Sequence, residues 1–392
     1  MNDHNKKVSN FVAFLFGCSF ALLLSEIILR VYLRDLDFYA MHDPGTAMTN
    51  QLPPGLIRGV QEKFHYSINR QGMRGDDYSE NSPAYRIFMM GGSTTICSFL
   101  DDSKAWPAVV QKKLPRTADG RVVWVGNIGK SGLSTRSHVL QMTHLTPQYA
   151  ADAMLVLTGI NDLVLRIWGN ENYDPHFLNN AENKRELMFN TFTILPDSLY
   201  PFYKHSGIWK LARRAKSYSR NYISEESLFA EIERSRDLLR YGRAIDTLPD
   251  LDNALEEYAG NLAQIVQAAR QQNLRLILMT QPVWWNARLT TEERASLLPL
   301  GSIGYAAPSI KYDYYSVEIL AECMRLYNDR LTSLCRQFDV ECIDLASRLP
   351  KNLQVFYDDC HFTEFGAELV AEIIVEYLKD RPPFGKMSIT HL

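Results

Sequence analysis

No Cys-x-x-Cys pair and no histidine-rich run occurs in this chain, although it holds 6 cysteines and 9 histidines. A metal site of the usual spacing is therefore not indicated, and neither a metal nor a cofactor is expected. A surplus of positive charge is missing too. The 42 Lys and Arg against 45 Asp and Glu leave a formal net charge of −3, so nucleic-acid binding has no electrostatic footing. Internal repeats and low-complexity tracts are absent. What remains is globular composition, 46% hydrophobic and 22% charged over 392 residues, enough for one large domain or two.

Charge is also absent from Phe11 to Ser25. Apolar character resumes after Glu26 and runs past Arg30 to Leu33, giving 11–33 the length of a membrane span at ~1.5 Å per residue. Glu26 and Arg30 stand four apart and can pair on one helix face. No small-x-small cleavage site succeeds the run, so the segment reads as an uncleaved anchor rather than a signal peptide. Phe16 before Gly17-Cys18, and the apolar run beyond it, argue against a lipoprotein site. Lys6 and Lys7 on one side and Arg30 and Arg34 on the other nearly balance the positive-inside count. A lone N-terminal anchor usually serves to export the domain attached to it, which places the large domain outside the cytoplasm.

Residues 1–10 read as a tail and 34–84 as a juxtamembrane linker and edge segment. Within the latter, Asn69-Arg70-Gln71-Gly72-Met73-Arg74-Gly75 reads as a hairpin or loop against the sheet edge; a functional reading places Arg74 near a substrate site. From residue 86 short apolar runs alternate with helical patterns. Strands are expected at 86–90, 121–125, 153–157, 274–279 and 340–345. Helices are expected at 101–114, capped by Asp101 or Asp102, and at 134–145, 248–272, 314–338 and 364–379. Insertions of about 163–247, without a clear strand, and 284–311 interrupt this rhythm. Residues 381–392 form a tail. Five strands alternating with helices predict a parallel sheet covered on both faces.

Four loops beyond strand ends carry chemistry. The first offers Gly91-Gly92-Ser93-Thr94-Thr95, the second Asn127-Ile128-Gly129-Lys130-Ser131-Gly132, the third Gly159-Ile160-Asn161-Asp162, and the last Asp358-Asp359-Cys360-His361. Acyl transfer to serine needs a hydroxyl, a base, a group orienting that base, and oxyanion donors. Ser93 supplies the hydroxyl and His361 the imidazole base. Asp358, three residues earlier, can fold back to orient it. Asp359 competes for that place, and the spacing favours Asp358. The N–H groups of Ser93 and Gly132 and the amide of Asn161 are oxyanion donors. Asp162 reads as a helix cap. No Gly-x-Ser-x-Gly elbow is present, which disfavours an α/β-hydrolase. Cys97 and Cys360 flank this constellation and can pair in an oxidising compartment; free buried thiols are the equal alternative.

These four blocks, in this order, resemble the SGNH hydrolase family, also called GDSL esterases and lipases. The first block departs from Gly-Asp-Ser, since Gly92 stands where the family has aspartate; the nucleophilic serine is kept. The resemblance spans roughly residues 85–380. It implies a flavodoxin-like, doubly wound α/β/α sandwich and a serine esterase acting through an acyl-enzyme. The Asn69–Gly75 segment and the anchor resemble bacterial membrane-anchored members, which implies a single-pass inner-membrane protein with its catalytic domain in the periplasm. The expected substrate is an O-acyl ester, most of all acetyl groups on an envelope glycan, with Trp168, Trp209, Trp284 and Trp285 available for sugars or acyl chains, or equally for packing the insertions' own cores. An acyltransferase with the same triad and a non-catalytic polysaccharide-export protein are the alternatives.

Overall fold

A computed structural model describes residues 3–32, 38–77, 79, 83–212, 242–294, 297–298, 300–303 and 313–385. Leu33, much of both insertions (213–241 and 304–312) and residues 386–392 lie outside them. The chain forms two compact units, residues 1–43 with 192–223, and residues 44–191 with 224–392. The first insertion thus divides between them.

In the first unit, helix α1, Asp3–Tyr32, contains a 24-residue stretch, Ser9–Tyr32, apolar enough to cross a membrane and nowhere buried. Ala40 pairs with Ile194 in an isolated antiparallel bridge, and Tyr39 meets Phe192 edge-on at 5.0 Å.

The second unit opens with an antiparallel hairpin, β1 Ala47–Gln51 and β2 Lys63–Ser67. Its centre is a five-stranded parallel sheet of β3 Tyr85–Gly91, β4 Val123–Asn127, β5 Ala153–Leu157, β7 Arg275–Met279 and β9 Glu341–Ile343. Two three-residue strands outside it, β6 Arg243–Ile245 and β8 Asp313–Tyr315, pair in parallel. In the central sheet the spatial order β4-β3-β5-β7-β9 is the flavodoxin-like order. Every residue of β4 and β5 is buried, because helices cover both sheet faces. That is why β5 reads as an unbroken apolar run, and β4 as an apolar run ending on the buried Asn127, rather than as alternating strands.

Helices α2 Ser93–Ile96, α3 Trp106–Lys113, α4 Thr135–Leu140, α5 Ile160–Gly169, α6 Ala181–Thr191, α7 Asp252–Gln271, α8 Val317–Phe338 and α9 Glu364–Lys379 complete the frame. Helix α7 buries Ala254, Tyr258, Leu262, Ile265, Val266 and Ala269, one stripe at helical spacing. Trp106, Trp284 and Trp285 are fully buried. Truncating one such ring to alanine costs ~3–5 kcal/mol.

Several expectations are corrected. Helix α3 begins at Trp106, not at 101, because the Asp101 and Asp102 carboxylates accept from the His65 and Ser67 backbone N–H groups instead of capping a helix. Residues 313–315 are strand, so α8 starts at Val317 behind Ser316. The first insertion does hold a strand, β6, too short for a periodicity to register. Cys97 and Cys360 are both free thiols; the disulfide joins Cys335 at the end of α8 to Cys342 in β9. Of the two readings of Trp284 and Trp285 the structure takes the core-packing one, since both are fully buried.

Candidate active site

The first functional loop turns at the carboxyl end of β3. Neither Gly91 nor Gly92 adopts a positive φ there, and Gly92 has φ −88° and ψ −147°. The requirement at Gly92 is room: a Cβ would lie 2.3 Å from the Asn161 amide nitrogen. Ser93 then opens α2 and stays partly exposed while Thr94, Thr95 and Ile96 are buried.

Ser93 Oγ lies 2.7 Å from His361 Nε2. On the other side of the ring, His361 Nδ1 lies 2.7 Å from Asp358 Oδ2 and 2.9 Å from Oδ1. Asp358 is held in turn, accepting from the Cys360 N–H at 3.0 Å and the His361 N–H at 2.9 Å. The side chain of His361 is 20% exposed and that of Asp358 only 8%. Burial works against a charged imidazole, yet the Asp358 carboxylate outweighs it and holds His361 well above the ordinary histidine value. Burial likewise opposes the Asp358 carboxylate, but the facing imidazole and its hydrogen bonds bring it below the usual range. A hydroxyl bonded to an imidazole, itself bonded to a carboxylate, can pass a proton from serine to histidine as an acyl bond forms.

Asp359 faces elsewhere. Its carboxylate accepts from Trp285 Nε1 and the Leu298 N–H, each at 2.5 Å, and burial pushes it up to about 7. Asp358 is therefore the histidine's partner, and Asp359 ties the second insertion to this loop.

The two other loops come together beside Ser93. Gly132 is exposed with φ +78°, a conformation that favours glycine. Asn161, on the first turn of α5, donates one amide hydrogen to Leu133 O at 2.8 Å and keeps a second for another acceptor. Asp162 does not cap its own helix. It accepts from the Thr135 N–H at 3.1 Å and from the Thr135 hydroxyl, so it pins the Gly132 loop to α5; burial raises it to about 7. A cleft of about 280 Å³ adjoins Gly132, lined by Ser131, Ser134, Phe177, Leu187 and Asn190 among others.

Arg74 is 3% exposed and its guanidinium makes four hydrogen bonds. It donates to Ile96 O and Cys97 O at 2.6 Å, to Leu100 O at 2.5 Å, and to Asp102 at 2.9 Å. Arg74 thus gathers the carbonyls that follow the serine helix. Asn127 was not singled out by sequence reasoning. It donates to Thr95 O at 2.8 Å and accepts from the Gly129 N–H at 2.9 Å, joining the serine helix to the second loop. Its place at the end of a strand, before a glycine-rich turn, was the available signal.

Among the described residues, Asp358, Cys360 and His361 have metal-ligand proximity, their ligand atoms lying within 4.8 Å. Both His361 nitrogens are engaged with Asp358 and Ser93, and burial raises the Cys360 thiol, so hydrogen bonding accounts for the group. Cys97 is pushed up to about 11 by burial and carries an inert thiol.

A flavodoxin-like sheet presenting a serine, a histidine and an aspartate at its strand ends defines a serine hydrolase of the SGNH type. The chain belongs to the GDSL-like Lipase/Acylhydrolase family, whose model matches residues 89–369. It is a carboxylic ester hydrolase. No curated protein matches the sequence. Similar solved structures include an acetylxylan esterase from Geobacillus stearothermophilus, at 14% identity and TM-score 0.40, covering 76% of this chain and 95% of that one. A psychrotrophic esterase from Pseudoalteromonas sp. is 10% identical, with TM-score 0.36 and coverages of 75% and 97%. A GDSL-like lipase from Bacteroides thetaiotaomicron is also 10% identical, with TM-score 0.38 and coverages of 75% and 88%.

Proposed function

We propose that the chain is a membrane-anchored esterase that removes acyl groups, foremost acetyl, from hydroxyls of an envelope glycan. Ser93 Oγ attacks the ester carbonyl while His361 Nε2 takes its proton and Asp358 steadies the resulting imidazolium. The Ser93 and Gly132 N–H groups and the Asn161 amide hold the oxyanion. Collapse of the tetrahedral adduct breaks the ester C–O bond, and His361 protonates the departing alcohol. Water, deprotonated by His361, then attacks the Ser93 acyl-enzyme; collapse breaks the acyl–Oγ bond, His361 returns the proton to Ser93 Oγ, and the carboxylic acid leaves.

The observation that carries this reading is the unbroken hydrogen-bonded line from Ser93 through His361 to Asp358. The cleft at Gly132 is lined mostly by apolar groups, Leu133, Leu165, Phe177 and Leu187, so it suits the acyl side of the ester, and the glycan reading rests on the anchor rather than on this lining. An anchored domain outside the cytoplasm agrees with the Cys335–Cys342 disulfide, since such bonds persist in oxidising compartments.

The test is a p-nitrophenyl ester series of increasing chain length beside acetylated glycans. Turnover that is highest with acetyl and falls with length supports the reading; preference for long chains overturns the glycan assignment. Transfer of labelled acyl groups to a glycan hydroxyl in place of water would make the enzyme an acyltransferase with the same triad. A folded protein whose Ser93 ignores a fluorophosphonate would be the non-catalytic export component.

A further inference from the structure

Glu26 is a carboxylate in an otherwise apolar stretch, and its partners point to a second membrane contact. It accepts from Arg30 Nε at 2.6 Å, and from the backbone N–H groups of Gly207 at 2.8 Å and Ile208 at 3.2 Å. Residues 207–212 are helical, so Glu26 satisfies donors at the start of that turn. Gly207 is pressed against α1. A Cβ there would lie 2.5 Å from Leu29 Cβ and 2.9 Å from Arg30 N. Glu26 thus holds the segment on the anchor about six residues, roughly 9 Å, before the anchor ends at Tyr32. The Gly207 contacts at Leu29 and Arg30 lie only two to three residues, roughly 3–5 Å, before that end. A 24-residue helix of about 36 Å overruns a hydrocarbon core of about 30 Å by about 3 Å at each end, so these contacts sit where hydrocarbon gives way to headgroups.

At that level the segment exposes apolar side chains. Ile208 and Trp209 are each 42% exposed and Leu211 is 46% exposed. Lys204 Nζ lies 5.8 Å from the centre of the Trp209 ring. Lys210 is paired with Asp197 at 2.6 Å, and from Ser198 to Ser224 the sequence adds Lys204, Arg213, Arg214, Lys216 and Arg220 and no acidic residue. Apolar residues with an interfacial tryptophan and one sign of charge are the composition of a surface-lying membrane segment.

We propose that the segment around residues 204–212 lies in the headgroup layer of an anionic bilayer beside the anchor, with Ile208, Trp209 and Leu211 toward the acyl chains. The proposal rests on α1 spanning the membrane. It gives the first insertion a role separate from ester chemistry, a second hold on the lipid surface.

The experiment uses the full chain reconstituted into phosphatidylglycerol vesicles with brominated acyl chains, which quench tryptophan at short range. Trp209 emission is taken as the difference between wild type and Trp209→Phe. We expect it to fall at least two-fold in brominated vesicles, and less in brominated phosphatidylcholine. Ile208→Ser with Leu211→Ser should abolish the quenching while the protein stays in carbonate-washed membranes. Unquenched Trp209 in retained protein overturns the proposal, and if Trp209 is also shielded from iodide, the face is covered by protein instead. Equal quenching in both lipids overturns its electrostatic part. Protein washed out by carbonate overturns the anchor, and this surface with it.

Discussion

His361 Nε2 lies 2.7 Å from Ser93 Oγ, although 268 positions separate the two residues in the chain. Strand β3 delivers the hydroxyl, and the loop beyond β9, on the sheet's edge, delivers the imidazole. The sheet brings the two loops to one end of its strands, and Asp359, Arg74 and Asn127 fix them there, so Ser93 and His361 can be substituted without touching the contacts that position them.

Ser93→Ala removes the proposed nucleophile and little packing, since Ser93 is partly exposed. Ester turnover and fluorophosphonate labelling should both vanish, with an unchanged circular dichroism spectrum and melting temperature. Retained esterase activity in this variant would place the nucleophile elsewhere.

Asp358→Asn should cost roughly 10⁴-fold in kcat, as when a histidine loses its orienting carboxylate. It should also move the pH profile. His361 must be neutral to act as base, and the Asp358 charge holds it well above the ordinary histidine value. Wild-type activity therefore rises with pH along a limb displaced upward. In the variant, burial is opposed only by the neighbouring Cys360 and the limb should move to lower pH; kcat/KM against pH reads the shift.

Asn161→Ala should lower kcat on the order of 10²–10³-fold, the usual cost of one oxyanion donor. The Leu133 carbonyl also loses its amide partner, so stability should fall by about 1 kcal/mol. KM should change far less than kcat, and steady-state kinetics separates the two.

Arg74→Ala leaves three carbonyls and the Asp102 carboxylate without their cation. We expect a loss on the order of 3 kcal/mol or more in chemical denaturation. Arg74→Lys should recover only part of it, because a single ammonium cannot reproduce the planar fork. A variant with full stability but impaired substrate binding would instead support the substrate role raised for Arg74.

Asp162→Asn should flatten the pH dependence of stability. Burial raises Asp162 from 3.8 to about 7, so the folded state holds this proton more tightly than the unfolded chain. Its contribution is fully present below about pH 4 and is lost as pH rises through about 7. Melting temperatures of variant and wild type should therefore diverge across that window, the wild type losing ground as pH rises. Parallel curves would mean that Asp162 stays ionised throughout.

The sheet was legible because strands buried on both faces are largely apolar, as β5 is throughout and β4 is up to Asn127. The Ser93, Asn161 and His361 blocks were legible because each lies beyond such a strand. Other features depend on contacts distant in sequence. Asp101 and Asp102 look like caps until the hairpin N–H groups claim them. Arg74 looks like a substrate ligand until the carbonyls behind Ser93 surround it. Cys335 and Cys342 pair because a helix end is folded onto a strand, a juxtaposition that no spacing rule supplies. Gly92 reads as a bend in the sequence and proves to be the space that the Asn161 amide needs.

The parallel topology also orders events in time. A ribosome makes Ser93 early and His361 late, with every strand of the central sheet completed before that histidine appears. Through most of its synthesis the chain carries a serine with no base to activate it. An enzyme built this way acquires its base only once the whole central sheet is available to hold it.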